Sequence, residues 1–178
     1  MIRVFDNFLQ DYQREELYMM SVSAKYQIGW DDSSTIEYRQ YPCFFKELTK
    51  KEWEELNFME NIINVPEELN GLVFEKAVIN LVTPSAIHFA HTHPDKTVLC
   101  YYYNNDWRDE WYGETIFYNQ QKSDATNVVM YKPNRAVLFS GETPHSIRPA
   151  SFIAPQYRFT LSVFFRQSNF IEESKNNS

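Results

Sequence analysis

The sequence AHTHPD at residues 90–95 places two histidines and an aspartate within five positions, at the end of a strand-like run. Side chains alternate between the two faces of a β-strand, so His91, His93 and Asp95 would lie on one face. A further histidine, His145, follows far downstream in a separate strand-like segment. Neighbouring ligands on one strand and a distant histidine on another predict a three-ligand face around a metal. Open positions opposite that face would suit non-haem Fe(II).

Clustering of the histidines is the main reason to expect a metal, since a lone histidine is more often a packed or surface residue. Three of the four histidines, His88, His91 and His93, fall within six positions. His88 can point elsewhere by strand alternation, so we expect it to be a core or rim residue. A structural zinc site is a weaker alternative, because such sites normally have four protein ligands and often cysteines. Neither Cys43 nor Cys100 is near a histidine in the sequence.

Two helices are predicted in the N-terminal part of the chain, over residues 11–23 and 50–63. Asp11 is of a type that caps the first helix. Thr49 precedes the second helix, and Glu52 follows it three positions later, which is typical of a capping box. These helices are expected to support the rest of the fold.

From residue 72 onward, short strand-like runs alternate with turn signals. Together with an opening strand at residues 2–5, about eight such runs predict a mainly β protein whose two sheets form a jelly roll. The predicted runs cover residues 72–82, 87–91, 97–103, 115–118, 128–131, 136–139, 145–148 and 157–165. We expect one domain over 1–170, with helical support at 1–71, a jelly-roll core at 72–170 and a flexible tail at 171–178. The segment 24–48 could form a lid on the substrate side.

Composition limits the class of protein. The length of 178 residues suits one domain, and the aromatic content of 17% favours sheets. A formal charge of −7 argues against non-specific binding to nucleic acid, which needs clustered Lys and Arg, but a nucleotide or an RNA loop could still be a substrate of a local pocket. Both cysteines lie in apolar contexts and are expected to be buried free thiols in a reducing compartment. With no leader pattern and no apolar run near about 18 residues, we expect a cytoplasmic protein without a membrane partner.

A series of motifs runs in a fixed order from residue 77 onward and covers about half of the chain. The motifs are NLVTP at 80–84, HTHPD at 91–95, YYYNNDW at 101–107, YGET at 112–115, PNRAVLF at 133–139, PH at 144–145 and YRFTLS at 157–162. In this order they resemble the 2-oxoglutarate/Fe(II)-dependent oxygenases, specifically the prolyl 4-hydroxylase-like group. The resemblance implies a double-stranded β-helix, which is a form of jelly roll. It also implies a dioxygenase that couples oxidative decarboxylation of 2-oxoglutarate to hydroxylation of a substrate.

The same resemblance implies a His-x-Asp pair and a distal histidine as iron ligands, and His145 matches the distal one. Counted from the motif at 80–84, the first histidine is His91, which puts His93 in the position of the carboxylate. The literal His-x-Asp string lies at 93–95, so a two-residue insertion would make His93, Asp95 and His145 the ligands. Asp95 could also reach back to a site that begins at His91. All four residues are candidate metal ligands, and no catalytic residue beyond them is expected.

The resemblance also implies a site for 2-oxoglutarate. Arg158 matches the cation that binds its distal carboxylate, a role that suits the planar guanidinium fork. Tyr102 matches a tyrosine that assists there, and Ser162 is a further candidate contact. Alternation puts Arg158, Thr160 and Ser162 on one polar strand face, which could equally face water. The expected cofactors are Fe(II) and 2-oxoglutarate, with dioxygen as reactant and ascorbate as a further candidate reductant.

The substrate is not encoded in these motifs, so small molecules and peptides both remain open, and peptidyl proline follows only from the name of the group. Two other functions also stay open. One is a three-histidine dioxygenase of the cupin type without 2-oxoglutarate, which is favoured if Arg158 faces solvent. The other is a non-catalytic jelly-roll binding protein whose histidines are merely packed.

Overall fold

The computed structural model of the chain describes residues 1–29, 43–84, 86, 89–154 and 157–168. Twelve helices and strands are named in chain order. They are β1 (Ile2–Asp6), α1 (Asp11–Ser23), β2 (Gln27–Ile28), β3 (Phe44–Glu47), α2 (Lys50–Leu56), β4 (Leu72–Val82), β5 (Thr97–Tyr102), β6 (Thr115–Tyr118), β7 (Ala125–Val129), β8 (Arg135–Ser140), β9 (His145–Ile147) and β10 (Arg158–Gln167). Short 3-10 turns lie at Met59–Asn61, Glu67–Leu69 and Asp109–Trp111.

The strands form two packed sheets, which confirms the predicted jelly roll. The larger sheet has the order β1-β8-β5-β10-β4-β3-β2, and the smaller has the order β7-β6-β9. Side chains of both sheets meet in one apolar cluster. Within it, the rings of Phe117 and Phe139 lie 5.0 Å apart in an edge-to-face arrangement. The inner faces of the two sheets therefore enclose a core in which a site can be shielded from water.

The larger sheet is covered on both faces, which explains the unbroken apolar run of β5. Tyr102 belongs to the cluster between the sheets, whereas Tyr101 and Tyr103 pack on the other face with the N-terminal segment. There the hydroxyl groups of Ser21, in α1, and Tyr103 are 2.8 Å apart, and Leu17 is fully buried. A strand buried on both faces reads as continuous apolar sequence rather than as an alternating one.

The helices differ from the predictions at their ends. The prediction that Asp11 caps α1 is wrong: Gln10 occupies the cap position and Asp11 is the first helical residue, where its carboxylate suits the positive end of the helix dipole. The capping box of α2 is confirmed, because the Glu52 N–H donates to Thr49 Oγ1 at 3.2 Å and the Thr49 N–H donates to Glu52 Oε2 at 2.8 Å. This helix ends at Leu56 rather than at 63, because Asn57 adopts a left-handed conformation with φ of 46°.

Residues 1–71 supply strands as well as helices. β1 pairs with β8, and β3 extends the sheet beyond β4. β2 and β3 fall in the segment expected as a lid, and the remainder of that segment, 30–42, lies outside the described residues. His88 and the tail at 171–178 also lie outside them. The division into support and core therefore stays a prediction.

Candidate active site

His91, His93 and His145 lie together at the edge of the smaller sheet. His91 and His145 are directly paired, because the N–H of each donates to the carbonyl of the other at 3.0 Å. The ring centroid of His93 is 4.9 Å from that of His91 and 5.2 Å from that of His145. One ligand nitrogen from each of the three lies within 4.8 Å of the others. We call these three residues the histidine cluster.

Backbone carbonyls fix the orientation of two of these rings. Nδ1 of His91 lies 2.9 Å from the carbonyl oxygen of Phe89, and Nδ1 of His145 lies 2.9 Å from that of Thr143. A carbonyl can only accept, so Nδ1 carries the proton in both rings and Nε2 keeps its lone pair for a metal. Burial, together with the neighbouring imidazoles of His91 and His93, lowers the pKa of His145 well below its usual value. His145 is thus neutral near pH 7, as a ligand must be.

A tight turn sets the position of His93. The His93 N–H donates to the Gly141 carbonyl at 2.7 Å, and the Gly141 N–H donates to the Lys96 carbonyl at 2.8 Å. A Cβ at position 141 would lie 2.1 Å from the carbonyl oxygen of His93. Only glycine therefore allows the turn between β8 and β9 to approach the backbone of His93 this closely.

Asp95, the remaining candidate ligand, lies outside the histidine cluster. It is exposed and has a left-handed backbone with φ of 59°, and its N–H donates to Glu142 Oε1 at 2.9 Å. The left-handed residue turns the chain toward β5 and ends the alternation that would have kept Asp95 beside His93. The structure thus brings together His91, His93 and His145 but not Asp95.

Arg158 is fully buried between the sheets, and the reading that it faces water is wrong. Its Nε donates to the Gly113 carbonyl at 2.8 Å. Its guanidinium carbon lies 4.8 Å from the ring centroid of Tyr131 and 5.3 Å from that of Tyr102. Nη1 and Nη2 are both buried and have no hydrogen-bond partner in the described structure. A buried cation with two free donors is costly unless an anion pairs with it.

Tyr102 and Ser162, the other predicted contacts for 2-oxoglutarate, lie on the same inner face of the larger sheet. The hydroxyls of Tyr102 and Thr115 are 2.5 Å apart. Burial raises the pKa of Tyr102, so its phenol stays protonated and can donate. Ser162 Oγ accepts from Asn80 Nδ2 at 3.2 Å and faces the cavity that the histidine cluster also lines. Buried Thr160, between Arg158 and Ser162 on β10, has an unpartnered hydroxyl oxygen.

Two residues of the YGET motif at 112–115 shape this cavity, although the sequence predicts for the segment 113–115 only a turn, either at the cavity mouth or without a role. Thr115 lines it, and alternation along β6 could have found Thr115, since it shares a face with buried Phe117. Gly113 was read only as part of a turn. It has φ of 90°, and a Cβ there would lie 3.2 Å from Cδ of Arg158. The sequence offers no signal that its carbonyl would hold Arg158, because that contact depends on the tertiary fold.

The residues present fit both a divalent metal and a dicarboxylate. Three neighbouring imidazoles are donors that suit iron, nickel, copper or zinc. The two free nitrogens of Arg158 match the two oxygens of a carboxylate in a fork-to-fork pair. Among the residues that the structure describes, no helix has the length and apolar character needed to cross a membrane.

Comparison with known proteins identifies the same chemistry. Residues 85–166 match the 2OG-Fe(II) oxygenase superfamily. No curated protein matches the sequence. A Pseudomonas putida prolyl-4-hydroxylase is similar in structure, with a TM-score of 0.61 at 16% identity over 93% of this chain and 92% of that one. A Trichoplax adhaerens prolyl hydroxylase, in complex with a hypoxia inducible factor oxygen degradation domain peptide fragment, has a TM-score of 0.65 at 15% identity over 94% and 84%.

HygX from Streptomyces hygroscopicus, with nickel and 2-oxoglutarate bound, has a TM-score of 0.66 at 7% identity over 94% of this chain and 83% of that one. At these identities the three structures establish the fold, and the family match adds the activity class. The chain thus matches the 2OG-Fe(II) oxygenase superfamily at residues 85–166, and its fold is that of prolyl 4-hydroxylases and other 2OG-Fe(II) oxygenases.

Proposed function

We propose that the histidine cluster holds Fe(II) and that Arg158 holds the distal carboxylate of 2-oxoglutarate during hydroxylation of a substrate. The observation that carries this proposal is the buried guanidinium of Arg158, whose Nη1 and Nη2 have no partner in the described structure. Arg158 lies four residues from Ser162 on β10, which corresponds to about 13 Å along a strand. That separation leaves room for a five-carbon dicarboxylate between the cluster and the guanidinium.

Fe(II) and 2-oxoglutarate, when bound, supply the electrons with which dioxygen is reduced. The chain provides positions for them and a dry cavity. The three histidines would hold the ion from one side and would leave its other side to ligands that are not part of the chain. Phe139 and Phe164, which pack edge-on against His145 and His93, exclude water from these positions. Protonated Tyr102 and the free hydroxyl of Thr160 offer further polar contacts along the path to Arg158.

The substrate belongs to this proposal as well, and we propose a small molecule or a peptide. Likeness to two prolyl hydroxylases, one in complex with a peptide fragment, supports peptidyl proline. The equally close likeness to HygX keeps small molecules open. A net charge of −7 argues against nucleic acid. Cys43 and Cys100 are buried and form no disulfide, which supports a cytoplasmic location, and ascorbate is proposed as an added reductant.

One observation favours a second function. The histidine cluster is the ligand set expected of a three-histidine dioxygenase that does not use 2-oxoglutarate. That function leaves the buried guanidinium of Arg158 without a ligand, so we rank it below the first. A non-catalytic binding protein leaves both the cluster and Arg158 unexplained.

The test is release of succinate and carbon dioxide from 2-oxoglutarate in the presence of Fe(II), ascorbate and air. We compare the parent with Arg158→Ala and His145→Ala, and with Arg148→Ala as a matched control because Arg148 is half-exposed and pairs with Glu114. Turnover is expected in the parent and the control. Two charge-assisted hydrogen bonds at about 1.5–3 kcal/mol each predict an affinity for 2-oxoglutarate at least about 100-fold weaker in Arg158→Ala.

If the parent shows no turnover without its substrate, binding of 2-oxoglutarate to the Co(II)-loaded protein replaces the assay. Binding that is equally tight in the parent and in Arg158→Ala contradicts the role of Arg158. Absence of binding in the parent overturns the proposal and favours the three-histidine alternative.

A further inference from the structure

The candidate metal-binding face that the structure assembles contains three imidazoles and no carboxylate. His91, His93 and His145 line one cavity, and among the described residues that line it there is no Asp or Glu. The hydrogen bonds that orient His91 and His145 add no negative charge either, because the Nδ1 atoms of both rings are bonded to backbone carbonyls. The described residues therefore place no carboxylate among the candidate ligands or at these two supporting contacts.

We propose that His93 serves as the third metal ligand in place of a carboxylate, and that the resulting all-imidazole face selects borderline divalent cations over the hard cation Mn(II). This rests on the proposed function, because it concerns the same metal. Imidazole nitrogen suits iron, cobalt, nickel, copper and zinc, whereas Mn(II) and Mg(II) prefer carboxylate and carbonyl oxygen. Replacement of one carboxylate by an imidazole thus removes the ligand that a hard cation needs most.

Asp95 is poorly placed to supply the missing oxygen. Its left-handed backbone and the hydrogen bond from its N–H to Glu142 hold it in an exposed turn. Its charge acts on the surface cation Arg166, whose pKa is raised chiefly by Glu75 and more weakly by Asp95. Asp95 is exposed and does not line the cavity that the histidine cluster lines.

The surroundings of His93 also favour an imidazole over a carboxylate. The ring of Phe164 packs edge-on against His93 with centroids 4.9 Å apart, and the rings of His91 and His93 meet edge-to-face. An ionised carboxylate in such an apolar wall is costly whenever the metal is absent. A neutral imidazole avoids that cost, so the face can be formed before the metal binds.

The experiment compares Co(II) and Mn(II) binding in four proteins: the parent, His93→Asp, His93→Asn and Asp95→Asn. Co(II) binding is followed by the visible absorption of the bound ion, and Mn(II) binding by the electron paramagnetic resonance of the free ion. Because Mn(II) binds more weakly than Co(II) at most sites, the informative quantity is the ratio of the two dissociation constants, not either one alone. Far-UV circular dichroism shows that each variant is folded.

Changes to residues that merely support a ligand already alter metal affinity by about 10- to 100-fold, so exchange of a ligand is expected to change the ratio at least about tenfold. His93→Asp should shift the ratio toward Mn(II) by that amount, and His93→Asn should weaken Co(II) binding by at least the same factor. Asp95→Asn should match the parent for both metals.

Weaker Co(II) binding in Asp95→Asn, together with parental affinity in His93→Asn, overturns the inference and makes Asp95 the ligand. In that case Asp95 replaces His93 in the proposed ligand set, while the proposed roles of the metal, of Arg158 and of 2-oxoglutarate stand. If the folded parent binds neither metal, the proposed function fails instead, so the two failures are distinguishable.

Discussion

The absence of a Cβ at Gly141 determines the position of His93, a proposed metal ligand. The carbonyl of His93 occupies the space that a Cβ at 141 would need, only 2.1 Å away. The clash would be with backbone, which cannot rotate aside as a flexible side chain can. His93 and the turn at 141 would have to separate, and the hydrogen bond between them would be lost.

We therefore expect Gly141→Ala to weaken Co(II) binding at least about tenfold, in the range seen when supporting contacts of ligands are removed. Gly71→Ala is the matched control, because Gly71 has φ of 74° but nothing within 4 Å of its ideal Cβ. The control should lose about 1 kcal/mol of stability from backbone strain and keep the parental affinity. Metal titration with parallel urea unfolding measures both effects. Parental Co(II) affinity in Gly141→Ala would contradict the role of this turn.

Strand alternation correctly predicted which side chains share a face where a strand continues, and it failed where a turn interrupts the strand. Arg158, Thr160 and Ser162 do share a face, as alternation along β10 requires. The sequence did not indicate whether that face would pack between the sheets or face water. A strand that is covered on both faces has the same sequence pattern for either orientation. For Asp95, the left-handed turn ends the alternation, and only the fold shows it.

At the level of elements, a charged cluster ties three neighbouring strands together at one end of the larger sheet. Glu75 on β4 binds Lys96, which immediately precedes β5, and Arg166 on β10. A second contact joins Arg166 Nη2 to Glu75 Oε1 at 2.5 Å. Hydrogen bonds from Arg166 and Lys96, opposed by partial burial, lower the pKa of Glu75 from 4.5 to about 2.

This shift predicts a dependence of stability on pH. A carboxyl group with a lowered folded-state pKa stabilises the fold above its unfolded value, and this contribution is lost as the pH falls from about 4.5 to about 2. After allowance for solvent screening we expect a contribution of about 1 kcal/mol. Glu75→Gln should therefore lose about this much at pH 7 and little at pH 2, as measured by urea unfolding.

Glu47→Gln on the adjacent β3 is the control, since Glu47 is exposed and lies 3.9 Å from its Lys76 partner. Its free energy of unfolding should stay close to that of the parent throughout. An equal loss at pH 7 and pH 2 in Glu75→Gln would mean that packing, not charge, accounts for the effect.

Elements with a local signal were predicted well, and those without one were not. β4 and β6 have the predicted bounds, and α2 starts where its capping box indicates. β2 and β3 were missed, because β2 has only two residues and the sequence FFKE of β3 does not alternate between apolar and polar residues. β3 owes its conformation to its pairing with β4, a partner that only the tertiary structure reveals.

In the molecule as a whole, one buried side chain links the N-terminal segment to the jelly roll through several hydrogen bonds. Asn134, in the turn before β8, accepts from the Leu9 N–H at 2.9 Å and from the Tyr101 hydroxyl at 2.8 Å through Oδ1. Its Nδ2 donates to the Leu9 carbonyl at 2.8 Å. The jelly roll itself was foreseeable from the order of motifs, but this contact joins residues 125 positions apart. No local pattern encodes such a pair.

Asn134→Ala is therefore expected to lower the free energy of unfolding by about 2–4 kcal/mol. Removal of the amide leaves buried polar groups at Leu9 and Tyr101 unpaired, at about 1–3 kcal/mol for each unsatisfied group. The backbone at 134 has φ of 60°, which asparagine tolerates better than alanine and which adds about 1 kcal/mol. Urea unfolding at pH 7 measures the loss.

Asn119→Ala is the control, because Asn119 makes comparable hydrogen bonds to Ser123 and Asp124 in an exposed turn, where water replaces them. Its loss should stay below about 1 kcal/mol. Co(II) affinity of folded Asn134→Ala should equal that of the parent. The histidine cluster is positioned by the backbone pairing with His145 and by the carbonyls of Phe89 and Gly141, and not by the contact of Asn134. Asn134→Ala could instead weaken metal binding as strongly as Gly141→Ala. The N-terminal segment and the metal site would then form one cooperative unit, and the metal site would require the hydrogen bonds between Asn134 and that segment.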